Sequence, residues 1–87
     1  MTTYAIQLAD FMWLRQHEPA LGIVLAANVE RASVRIGKER IDEEGLPLAC
    51  PAEQAEALVA VIRGRFGRDQ IRIWRNDTGN KSGWKRV

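Results

Sequence analysis

The segment between Pro51 and Gly67 constrains the fold most. Ala55, Leu58, Val59, Ile62 and Phe66 recur there at helical spacing, which puts them on one face of a helix. The pattern predicts a helix from about Ala52 to Phe66, with Leu58 and Ile62 nearly fully buried. Pro51 suits the first helical position, where a missing N–H costs nothing, and Gly67 suits a left-handed residue just past the end. Glu53 and Glu56 in the opening turns, and Arg63 and Arg65 near the close, complement the helix dipole. Gly64 stands out, since glycine inside a helix costs about 1 kcal/mol relative to alanine. It shares a second stripe with Ala57, Ala60 and Val61. Close packing of that stripe on the domain's own sheet is the favoured reading; a homodimer or partner contact is the alternative.

A helix with one apolar face must bury it against another layer, and 87 residues leave room for a single core. The other layer is expected to be a sheet. Ile71 to Arg75 alternate strictly, Ile71 and Ile73 to one side and Arg72 and Trp74 to the other, the period of a half-buried strand. Ala32, Val34 and Ile36 alternate likewise, and Gly37-Lys38 suits a turn into a return through Ile41. Leu21 to Ala27 reads as a buried strand because Gly22, Ile23 and Val24 are weak helix formers. A helical face of Leu21, Val24, Leu25, Asn28 and Val29 competes. Thr3 to Gln16 reads as a helix, ended by the constraint Pro19 places on Glu18, with Tyr4, Leu8, Phe11 and Met12 as its buried face. An alternating Tyr4-Ile6-Leu8 strand competes there.

These elements predict an α+β fold: an antiparallel sheet of three to four strands packed with two helices. The expected order is helix, strand, strand, helix, strand. The single domain would span 1–75, and a flexible basic tail 76–87. A hydrophobic fraction of 46% argues against disorder. The longest apolar run, Leu21 to Ala27, is far short of the ~20 residues a membrane span needs. No Lys or Arg precedes an apolar stretch at the N-terminus, and Cys50 is the only cysteine. Together these point to a reduced cytoplasm and no membrane.

The inventory for catalysis is thin. His17 lies in a polar Gln-His-Glu-Pro stretch, where a solvated residue at a helix end outweighs a general base. Cys50 precedes a helix N-terminus, a place where a thiol pKa can fall; a Cys–His pair would require His17 to fold against it. Two Cys/His residues are too few for a structural zinc site. Asp42, Glu43 and Glu44 lack the spacing of a calcium loop and read as a solvated turn. Gly64-Arg65-Phe66-Gly67 ends a helix where a phosphate loop would open one. No catalytic residue, metal ligand or cofactor site is expected.

Charge separates along the chain. Residues 1–62 carry five basic and nine acidic side chains, and residues 63–87 carry eight basic and two acidic, so the net +2 hides an acidic front and a basic end. Arg63, Arg65, Arg68, Arg72, Trp74, Lys81, Trp84, Lys85 and Arg86 form the expected partner-binding set. Arginine and tryptophan are enriched at protein interface hot spots, and cations with an exposed indole also suit nucleic acid. The favoured function is a non-catalytic protein-binding module, a regulator or inhibitor of a larger complex whose partner has an acidic surface. A nucleic-acid-binding protein using the basic C-terminal face is the alternative.

Overall fold

A computed structural model describes residues 2–36 and 43–87. Along the chain run β1 (Thr3–Gln7), α1 (Leu8–His17), α2 (Pro19–Ala26), β2 (Val34–Arg35), β3 (Glu44–Pro47), α3 (Ala52–Arg65), β4 (Ile73–Asn76) and β5 (Trp84–Arg86). The five strands form one antiparallel sheet in the order β2-β3-β1-β4-β5. The α+β class with an antiparallel sheet is as expected; among the described residues the elements number three helices and five strands, and the first of them is a strand.

That first strand corrects the reading of Thr3 to Gln16 as one helix. Tyr4 and Ile6 are buried in the cluster under the helices, while Ala5 belongs to a separate cluster on the opposite side of the sheet. The competing alternation of Tyr4 and Ile6 therefore holds over Thr3–Gln7, and with Ala5 and Gln7 buried as well the strand is covered on both faces. The helix starts only at Leu8. Leu21 to Ala27 is the second correction: the apolar run is helix α2, with Pro19 in its first turn. Leu21, Gly22 and Leu25 are buried, but Val24, expected on the buried helical face, is 45% exposed. Gly22 explains the packing. A Cβ there would lie 2.8 Å from the Arg15 Cα, so α2 can approach the backbone of α1 only because the residue is glycine.

α3 matches its expected span closely, with Ala55, Leu58, Val59 and Ile62 buried. Its ends differ in detail. Pro51 is the residue before the helix, and among the described residues the glycine with positive φ is Gly79, not Gly67. The helix stops because Phe66 turns to an extended conformation, and its ring packs edge-on against Trp13 at 5.8 Å. The Ala57-Ala60-Val61-Gly64 stripe does not pack on the sheet: all four residues are exposed, and no atom lies within 4 Å of a Cβ placed on Gly64.

At the basic end, the stretch 76–87 expected as a flexible tail holds the end of β4 at Asn76 and the strand β5 at Trp84–Arg86. Trp84, Lys85 and Arg86 pair with Asn76, Arg75 and Trp74, and Trp84 is buried. Glu44, expected in a solvated acidic turn, opens β3, and the Glu43 carbonyl accepts a hydrogen bond from the Ile36 amide. The turn at Gly37-Lys38, the return through Ile41, and Asp42 lie outside the described residues. No helix among the described residues is long and apolar enough to cross a membrane.

Candidate binding groove on the open face of the sheet

All three helices contribute buried side chains to one cluster with Tyr4, Ile6 and Ile73. The other side of the sheet carries Ala5, Ile36 and Trp84, with Val34 and Trp74 packed against them. Ile36 follows β2 and Trp84 lies on β5, strands at opposite edges with three between them. Their membership in one cluster requires the sheet to curl, bringing its edges toward each other over Ala5. Gly45 permits this: a Cβ there would lie 2.7 Å from Ile36 Cδ1, so the isoleucine rests on bare backbone.

The curl leaves a groove of about 920 Å³ between the β2 edge and the β4–β5 hairpin. Val34, Ile36 and Trp84 supply its apolar surface; Arg35 and Lys81 supply its charge, and no carboxylate lines it among the described residues. Asn76 builds the hairpin wall. It is 5% exposed, yet its side-chain oxygen accepts from the Thr78 amide and hydroxyl and from the Gly79 amide, while Nδ2 donates to the Asn80 carbonyl at 2.7 Å. A buried amide with its hydrogen-bonding capacity used this fully is a rigid post, and it fixes where Lys81 leaves the sheet.

The residues expected to contact a partner divide into three groups. Trp74, Lys81, Trp84 and Arg86 do gather at the open face or its rim. Trp74 is half-buried, its indole N–H 3.4 Å from Gln7 Oε1. Trp84 is 7% exposed, so its ring faces are covered. Arg86 stands beside Trp74 in the pairing register and donates to the Arg68 carbonyl at 2.9 Å.

Arg63 and Arg72 form a second group, engaged in holding the fold. Arg72 donates its backbone amide (2.8 Å), Nε (3.0 Å) and Nη2 (3.3 Å) to Asp10 in the first turn of α1. That hydrogen bond to Asp10 holds the Arg72 guanidinium above its ordinary value. Arg63 donates to the carbonyls of Gly67 and Val87. Burial, then the nearby charges of Arg86 and Arg68, push its guanidinium below the ordinary value.

The third group points elsewhere. Arg65 pairs with Glu18 at 3.4 Å on the helical side. Lys85 alternates away from Trp84 and lies beside Arg75, whose guanidinium sits over the Tyr4 ring. Arg68 is exposed in the turn after α3. The basic third of the sequence is therefore not one basic surface.

His17 and Cys50 are also apart. The His17 ring stacks on Trp13 at 4.6 Å, and Trp13 reaches Phe66 beyond the C-terminal end of α3, whereas Cys50 precedes its N-terminus. A helix of 14 residues separates them by about 20 Å at 1.5 Å per residue.

Sequence reasoning missed Val34, Ile36 and Asn76 as groove residues. The Val34/Ile36 alternation was visible, but not the far edge strand that completes the cluster. The signal for Asn76 was the run Asn-Asp-Thr-Gly-Asn, in which an asparagine side chain closes a turn on the amides after it. No family model, curated protein or solved structure matches the chain.

Proposed function

We propose that this domain is a non-catalytic protein-binding module that takes an extended acidic segment of its partner along the groove between β2 and the β4–β5 hairpin. The supporting observation is the groove's lining: an apolar floor of Val34, Ile36 and Trp84 with the exposed Lys81 at its rim, and no carboxylate among the described residues. β2 and β5 are the sheet's edge strands. Such edges present backbone donors and acceptors that an extended peptide can pair with, while alternate side chains enter pockets. Acidic side chains would meet Lys81, and the intervening apolar ones would lie on the half-buried Val34. Stoichiometric capture of such a segment is how a module this small would regulate or inhibit a larger complex.

Nucleic acid fits less well. Stacking on a base requires an exposed aromatic face, and Trp84 offers little. The cations needed for a continuous phosphate track are divided between the two sides of the sheet and the fold itself.

The test pairs two probes: a fluorescent peptide alternating glutamate with valine, and a single-stranded oligonucleotide of equal charge. The proposal expects peptide binding that persists at 0.15 M salt, about one Debye length of 8 Å, and that drops at least tenfold in Lys81→Glu. Lys81 is exposed, so this variant should fold. Oligonucleotide binding that exceeds peptide binding and fades steeply with salt would favour the nucleic-acid alternative.

A further inference from the structure

The helical side carries a second feature, independent of the groove. α2 has no polar side chain over its whole length, yet Ile23 is 71% and Val24 45% exposed. Two contacts align α2 antiparallel beside α3. Arg65 near the end of α3 reaches Glu18 at the start of α2, and Gln54 near the start of α3 donates to Asn28 just past the end of α2. Between these ties lies Val61, 50% exposed. Ile23, Val24 and Val61 are thus three large apolar side chains left to water on the helical side of the sheet, and large exposed apolar side chains grouped on one side of a domain are a mark of an interaction surface.

The charges around this surface specify what covers it. Exposed Glu53 and Glu56 lie at one end of α3, with exposed Glu30 on the segment after α2. The exposed Arg68 lies at the other end, with Arg65, which is half-exposed while it pairs with Glu18 of its own chain. A second copy turned by a twofold axis across the helices sets α3 antiparallel to its counterpart, so each acidic end meets the partner's basic end. The same operation brings the apolar surface of α2 onto that of the other α2. Twofold interfaces require this self-complementarity, residue i on j and j on i. Ala57, Ala60 and Gly64 between the charged ends put no bulk in the way of close helix approach.

We infer that the chain forms a twofold homodimer through α2 and α3, with α3 of one copy antiparallel to α3 of the other. The face is about 20 Å long at 1.5 Å per residue of α3 and spans two helices, each about 10 Å across. That is small beside the ~800 Å² per partner of a standard interface, so the dimer is a concentration-dependent one. It leaves the groove, on the opposite side of the sheet, open.

Sedimentation velocity from 1 µM to 500 µM tests this. The expected result is a monomer–dimer equilibrium that Ile23→Lys shifts at least tenfold toward monomer, with melting unchanged because Ile23 is exposed. A charge exchange tests the orientation. Glu53→Arg/Glu56→Arg and Arg65→Glu/Arg68→Glu variants should each self-associate less than the parent chain, and their mixture should form a heterodimer at least as tight as the parent homodimer. In that mixture both charged contacts are restored. A chain that stays monomeric at 500 µM overturns the proposal. So does a dimer indifferent to Ile23→Lys, or a variant mixture no tighter than its components.

Discussion

Removing the Asp10 side chain should separate what Arg72 does for the fold from what it does on the surface. Asp10 is 8% exposed and accepts three hydrogen bonds from Arg72, one of them from the backbone amide. The two guanidinium bonds count for little, because that side chain is 33% exposed and exposed pairs are worth about 0–1 kcal/mol. The amide bond dominates: in Asp10→Ala the Arg72 N–H loses its acceptor, at a cost of about 1–3 kcal/mol. Loss of a carboxylate from the first turn of α1 adds about 0.3–1 kcal/mol. A total of about 1.3–4 kcal/mol is a large share of the roughly 4–13 kcal/mol expected for a chain this size. Urea unfolding followed by circular dichroism measures it directly. At about 4–8 °C per kcal/mol, the melting temperature should fall by at least about 5 °C. Arg72→Ala should cost less than Asp10→Ala, because alanine keeps the amide and its bond to Asp10. An Asp10→Ala variant within 0.5 kcal/mol of the parent, or an Arg72→Ala variant that loses more, would refute this reasoning.

Other perturbations test other parts of the fold. Trp84→Ala should cost about 3–5 kcal/mol in urea unfolding, the usual loss for a buried tryptophan; a surface tail residue would cost under about 0.5 kcal/mol. Gly22→Val should destabilise by at least about 2 kcal/mol, since the new side chain meets the Arg15 backbone, whereas Gly64→Ala, with open space around it, should stabilise by up to about 1 kcal/mol. Hydrogen bonds from Arg75 and Thr2 hold the Asp77 carboxyl below its ordinary value, so its interactions are intact above the unfolded-state pKa and are lost as pH falls through the lower folded value. NMR titration should show that depressed midpoint, and Arg75→Ala should return it toward the ordinary range.

How much of this was legible in the sequence depended on whether an element's partners were local. α3 was, because one face is buried and the other wet, so its 3.6-residue period survives intact. Ile73 on one side of β4 and Trp74 on the other were legible for the same reason at period two, though the strand starts at Ile73 and leaves Ile71 just before it. β1 was legible only as the competing Tyr4-Ile6-Leu8 alternation, because good helix formers follow it directly into α1 and Ala5 and Gln7 are buried as fully as Tyr4 and Ile6. α2 was misread because its outer face is as apolar as its inner one, which erases the amphipathic signal; tertiary packing of Gly22 on α1 decided the matter. The site failed differently. Lys81 and Trp84 were in the expected set, but Val34 and Ile36 join them only through the curl of a sheet whose edge strands lie far apart in sequence. Arg72 looked like a surface cation because nothing near it in sequence reveals Asp10 as its acceptor, 62 positions away.

The groove is tested most directly by amide chemical-shift mapping as the glutamate–valine peptide is titrated into the isotope-labelled domain. Binding along the groove predicts saturable shifts at Ser33 to Ile36 and from Asn76 to Trp84, with α1 and α3 unmoved and the shifts abolished in Lys81→Glu. Shifts that instead cluster on α2 and α3, or that fail to appear at millimolar peptide, would contradict it.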